Sequence, residues 1–123
     1  MLPPNLKDKK RAQKERLLLR EISHLFLQTA ADDTELRDIN IHRVELSDDK
    51  STCFVYFYTE QGKEGFDIKL ERLKLYKPSL RKALADRLKF RYVPDLRFKF
   101  DMQYEKQRAI EKLLDKVKEE DQS

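Results

Sequence analysis

The stretch LKLYKPSLRKAL, residues 73–84, carries leucines at helical spacing on both sides of Pro78. A proline inside a helix removes an amide donor and clashes with the carbonyl four residues back, costing about 3 kcal/mol. In the first turn of a helix it is tolerated, because those amides have no intrahelical partner. The stretch therefore specifies two short helices meeting at a break. Four bases, Lys74, Lys77, Arg81 and Lys82, crowd that break. Any fold proposed for the chain has to accommodate a broken helix pair with positive charge at the joint.

The flanking segments supply strands. Leu18, Ile22, Leu25 and Phe26 form one apolar stripe and predict a helix from Lys9 to about Thr29, basic in its first half. Residues 1–8, with two prolines and no apolar periodicity, read as a flexible leader. INIHRVELS alternates, but its phase slips: Ile39 and Ile41 share one parity, Val44 and Leu46 the other. That slip predicts a strand with a β-bulge near His42–Arg43. SDDKS is a turn and TCFVYFYT a second strand, so the two form an antiparallel hairpin. EQGKEG closes the hairpin, and a helix is expected from about Phe66 to the break. The helix after the break runs to about Lys89. RYVPDLRFKFD then gives a third strand, with Leu96, Phe98 and Phe100 on one face. From Gln103 an amphipathic helix carries Ala109, Ile110, Leu113, Leu114 and Val117. The order is α-β-β-α-(break)-α-β with a three-stranded sheet, plus a C-terminal helix. This is an α+β, type II KH-like arrangement. It occupies residues 9–102, and 103–123 form the C-terminal helix and acidic tail.

Charge is where composition matters. The net charge of the 123 residues is only +4, but it is unevenly placed. Residues 72–99 hold ten bases against Asp86 and Asp95, a local +8, and a second basic segment spans Leu6–Arg20. A solvated helix face explains single charge runs; two such segments together point to an anionic partner, nucleic acid above all. The helix start at Pro78 adds its positive dipole end to the surrounding bases.

Other chemistries find little support. The single Cys53 lies in an apolar run and allows neither an internal disulfide nor a cysteine metal cluster. His24 and His42 have no second ligand at metal spacing, so neither metal nor cofactor is expected. There is no nucleophile arrangement, phosphate-binding glycine loop or apolar acid pair, so no enzyme is expected. No apolar run can span a bilayer and no signal peptide is seen, which predicts a cytoplasmic protein with no membrane partner. Gly62-Lys63-Glu64-Gly65 matches the GxxG clamp of KH domains but precedes the first helix of the pair, so it reads as a plain loop.

Two alternative functions stay open. The basic face could meet an acidic protein. Alternatively, Phe54, Tyr56 and Tyr58, opposite Cys53, Val55 and Phe57, could stack single-stranded bases as an RRM does, with Arg97 and Lys99 beside them. A cover for these rings is expected from the C-terminal helix or from cross-strand neighbours.

VELSDD (44–49), VYF (55–57), SLRKAL (79–84) and LKFRYVPDLRFKFD (88–101) resemble the ribosome-binding factor A family, bacterial assembly factors of the small ribosomal subunit. Arg91, Pro94, Leu96, Phe98 and Asp101 stand as in the family pattern. The resemblance covers about residues 10–115. It implies a type II KH fold whose clamp is replaced by an Ala-x-Gly break, where this chain has Tyr76 and Pro78. It also implies a monomer that binds the immature 30S subunit and its 16S rRNA, supporting late assembly, 5′-end processing and growth in the cold. The bases expected to meet RNA are Lys10, Arg11 and Lys14 on the first helix. Lys74, Lys77, Arg81 and Lys82 join them at the break, and Lys89 and Arg91 beyond it.

Overall fold

The computed structural model describes residues 6–122. Helix α1 (Leu6–Ala31) leads through a 3-10 turn (Thr34–Leu36) into β1 (Asn40–Leu46) and β2 (Thr52–Tyr58). Helices α2 (Gly62–Leu75) and α3 (Lys77–Arg87) follow, separated by Tyr76 alone, then β3 (Asp95–Phe100) and α4 (Met102–Gln122). The sheet order is β1-β2-β3, with β1 antiparallel and β3 parallel to β2. Parallel neighbours need a long crossover, and the broken pair α2–α3 supplies it. The fold is α+β and KH-like.

Burial alternates along β2, with Cys53, Val55 and Phe57 fully buried and the residues between them half-exposed. One sheet face therefore carries all the packing against α1, α2 and α3. Phe57 sits at its centre, with the rings of Phe98, Phe26 and Phe66 at 5.3, 5.4 and 6.1 Å. The phase slip of β1 is a bulge at His42: Ile41 pairs with Phe57 and Arg43 with Tyr56. The extra residue lets both Ile39 and Leu46 point into the core.

Three element boundaries differ from the sequence reading. Helix α1 starts at Leu6, so residues 6–8 of the expected leader are helical; the remaining five lie outside the described residues. Asp8 sits in that first turn, where an acid complements the helix dipole, and Arg11 pairs with it at 3.6 Å. Helix α2 starts at Gly62, so the GKEG segment is a first helical turn and not a plain loop. Gly62 has φ +75, which turns the chain from the strand into the helix. A Cβ on Gly65 would lie 2.5 Å from that of Gln61. Helix α3 ends at Arg87, two residues early, because Leu88 is extended (φ −106, ψ 126).

Helix α4 packs only by its first turns. Asp101 caps it, accepting from the Tyr104 amide at 3.1 Å. The Tyr104 ring lies 4.7 Å from Tyr58 and 3.9 Å from His42. From Ala109 to Asp121 every residue is exposed.

Candidate nucleic-acid interface

The break is built without a left-handed residue. Tyr76 has φ −87 and ψ −8, and Pro78 occupies the first turn of α3. Among the described residues only Lys50 and Gly62 have positive φ, so the joint has no need of glycine's freedom. A side-chain clamp holds it. The Tyr76 hydroxyl donates to Asp33 Oδ2 at 2.6 Å, and Arg72 Nε lies 2.7 and 2.9 Å from the two Asp33 oxygens. Asp33 is buried, 5% exposed, and also accepts from the Glu35 amide at 3.1 Å. Hydrogen bonds from Arg72, then Tyr76, hold its carboxyl below the usual carboxylate range, outweighing desolvation. The clamp ties the joint to the end of α1.

This geometry predicts that Pro78→Ala leaves helicity and the unfolding midpoint nearly unchanged. Tyr76→Phe, which orphans part of Asp33, lowers the midpoint. Circular dichroism during thermal unfolding compares the two; a larger loss in Pro78→Ala would give the break to the proline instead.

One end of the sheet gathers bases from four segments. Lys77 Nζ is 3.7 Å from Asp95 at the start of β3, and Arg97 Nε is 3.9 Å from the same carboxylate. Arg81 reaches over to the Val93 carbonyl at 3.3 Å. Lys14 of α1 lies 4.2 Å from the Phe90 ring centroid, on the loop before β3. Burial, then the nearby Lys50 ammonium, push the Lys14 pKa down. Arg11 pairs with Asp48 of the β1–β2 turn at 2.7 Å. That turn adjoins β3, whose Asp95 amide donates to Ser51. It is held by Asp49, which accepts from Ser47 and Ser51; those bonds lower its pKa to about 2.

Of the expected bases, Arg11, Lys14, Lys77 and Arg81 thus converge on the β3 start. Arg91 belongs to the same loop, near the Tyr92 ring at 5.6 Å. Lys10, Lys82 and Lys89 are exposed, on α1, α3 and the loop. Lys74 pairs with Glu71 within α2 at 3.3 Å. Sequence reasoning missed Lys50 and Arg97 as neighbours of this cluster. Lys50 lay in a segment read only as a turn, and parity placed Arg97 on the sheet's other face. The start of α3 adds little charge of its own. With only Tyr76 between them, the negative end of α2 adjoins the positive end of α3, so side chains and not the dipole supply the charge.

The opposite sheet face carries Phe54 and Tyr56, as the alternation requires. Cations already cover both rings: Lys99 Nζ is 4.6 Å from the Phe54 centroid and the Arg43 guanidinium 3.8 Å from that of Tyr56. The C-terminal helix reaches only Tyr58. Cys53 is fully buried and its thiol pushed up to about 12, chiefly by burial. No group of three or more His, Cys, Asp or Glu among the described residues could hold a metal ion, and no helix is long and apolar enough to cross a membrane.

Residues 10–114 match the family model of ribosome-binding factor A. The chain belongs to the ribosome-binding factor A family. A ribosome-binding factor A from Prochlorococcus marinus strain AS9601 is 34% identical over 116 residues, 92% of this chain and 88% of its own length. The crystal structure of ribosome-binding factor A from Thermus thermophilus superposes with a TM-score of 0.62 at 30% identity, covering 73% of this chain and 93% of that one. A homology model of the Thermus thermophilus ribosome-binding factor A, fitted into the cryo-electron-microscopy map of a 30S–ribosome-binding factor A complex, gives a TM-score of 0.55 at 30% identity, covering 69% of this chain and 88% of that one. Where the resemblance to the ribosome-binding factor A family leads one to expect an Ala-x-Gly break, this chain has Tyr76 and Pro78, and the Tyr76–Asp33–Arg72 clamp holds the joint.

Proposed function

We propose that this protein binds the small ribosomal subunit through its 16S rRNA and acts, without catalysing a reaction, in the subunit's late maturation in the cytoplasm. The supporting observation is the convergence of Arg11, Lys14, Lys77 and Arg81 on one end of the sheet. Long cations from two helices, α1 and α3, suit the irregular phosphate surface of folded RNA. Burial first, and the neighbouring Lys50 ammonium second, disfavour the charge on Lys14, and a bound phosphate would offset the second of these. Family membership and the 30S complex of the Thermus relative supply the target. Support of 16S 5′-end processing and of growth in the cold follow as parts of that role.

The RRM-like alternative is disfavoured by the two cations stacked on Phe54 and Tyr56, which a splayed base would have to displace. A protein partner for the basic end is separable by competition. Co-sedimentation with precursor and mature small subunits tests the proposal. Retention should be stronger on precursor subunits, should fall steeply between about 50 and 200 mM salt, and should be competed by 16S fragments but not by an acidic protein. Equal competition by the acidic protein would overturn it.

A further inference from the structure

Every Phe and Tyr of the chain is buried or half-buried except Tyr92, which is 75% exposed. The other tyrosines are engaged. Tyr56 lies under the Arg43 guanidinium at 3.8 Å, Tyr58 against Tyr104 at 4.7 Å, Tyr104 against His42 at 3.9 Å, and the Tyr76 hydroxyl on Asp33 at 2.6 Å. A single exposed apolar residue on an ordinary surface needs no account. Tyr92 is placed differently, because it sits among the bases at the β3 start.

Its loop, residues 88–94, is held from both sides. Leu88 and Pro94 are buried, and Phe90 and Val93 pack against the core. Arg91 and Tyr92 therefore form an outward tip between two inward anchors. The cations of the candidate interface lie on those same anchors. Lys14 Nζ is 4.2 Å from the Phe90 ring centroid, and Arg81 donates to the Val93 carbonyl at 3.3 Å. The Arg91 guanidinium is 5.6 Å from the Tyr92 centroid.

We propose that Tyr92 stacks on one unpaired base of the bound RNA, with Lys14 and Arg81 on the phosphates beside it. This deepens, and rests on, the reading of the β3 start as an rRNA surface. Phosphate contacts position an RNA but do not tell paired from unpaired nucleotides. A ring does, because the bases of a duplex are already stacked on one another, whereas a splayed base offers its face. The planar Arg91 guanidinium extends the platform. Stacking is tolerant of sequence, since every base has a π-face. Tyr92 thus selects an unpaired segment beside a helix and not a particular base. Phe54 and Tyr56 do not offer this surface, because cations already cover them.

The test uses two RNA probes, each a blunt duplex of about 16 base pairs extended by a single-stranded tail of about four nucleotides. One tail carries bases and the other is abasic, so phosphate number is the same. The full chain should bind the base-bearing tail about 5- to 150-fold more tightly. Tyr92→Ala and Tyr92→Leu should bind the two probes equally, and Tyr92→Phe should keep the preference. The chain has no Trp, so Tyr92→Trp adds a single reporter. Its emission should be quenched by the base-bearing tail and not by the abasic one. Thermal unfolding verifies that each variant is folded. No preference in the unmodified chain, a preference that survives Tyr92→Ala or Tyr92→Leu, or emission indifferent to the bases would each overturn the proposal. Precursor subunits separate its failure from that of the rRNA reading. Subunit binding without a preference for the base-bearing tail overturns the stacking role alone, while loss of both subunit and probe binding overturns the two together.

Discussion

Replacing Asp101 by alanine is expected to lower the unfolding free energy by about 2–4 kcal/mol, a large share of the roughly 5–15 kcal/mol of a small domain. Asp101 is 2% exposed and anchors three donors. Arg43 Nε and Nη2 approach at 3.0 and 3.3 Å, and the Tyr104 amide at 3.1 Å. Its own amide donates to Phe57 in β2. The carboxylate therefore joins the bulged edge strand to the start of α4, while the backbone amide, which alanine keeps, holds the central strand. Alanine removes the cap and strands Arg43 over Tyr56. The loss stays below that of a fully buried pair because the Arg43 side chain is 36% exposed and keeps Glu45 at 3.1 Å. Asn, which retains one acceptor for the cap, should cost about half as much. Urea unfolding measures both, and helicity in the native baseline reports fraying of α4. A loss below about 0.5 kcal/mol for the alanine variant would show that Arg43 and α4 are held by other contacts.

The sequence made the period of each element readable but not the partners. Apolar spacing located the helices and alternation located the strands, because burial against one sheet face imposes both periods. The bulge was legible for the same reason: a slip in parity has no other cheap solution. Asp33 and Asp101 were not legible as anchors. Each is an acid whose cations, Arg72 and Arg43, lie tens of residues away, and no local pattern marks such a pair. Asp101 stood out only through the family resemblance. The start of α2 was missed because two glycines in six residues signal a loop, whereas here one turns the chain and the other makes room for Gln61. At the candidate interface, the bases near Pro78 were legible as a charge run. That α1 and the β1–β2 turn deliver Arg11, Lys14 and Lys50 to the same end depends on the parallel placement of β3, which spacing alone does not reveal.

The largest functional effect is expected from changing Lys14, Lys77 and Arg81 to glutamine together. If each meets one phosphate, the triple variant should bind precursor subunits about 100-fold more weakly near 100 mM salt. The slope of log affinity against log salt should flatten by about 0.7–0.9 for each phosphate the variant no longer neutralises. Stability should fall by no more than about 1 kcal/mol. Lys77 gives up a partly exposed ion pair at 3.7 Å, Arg81 one hydrogen bond to the Val93 carbonyl, and Lys14 its seat on Phe90. Net charge must be separated from position. Glutamine at Lys63, Lys112 and Lys116 makes the same change in total charge, but Lys63 opens α2 at the far end of β2 and the other two lie on the exposed part of α4. That control should bind within a fewfold of the unmodified protein, since charges beyond about 10 Å are largely screened at this salt. Equal losses in the two triples would mean that the subunit senses only the protein's overall charge. Loss confined to the control would move the interface from the β3 start to the opposite end of the sheet.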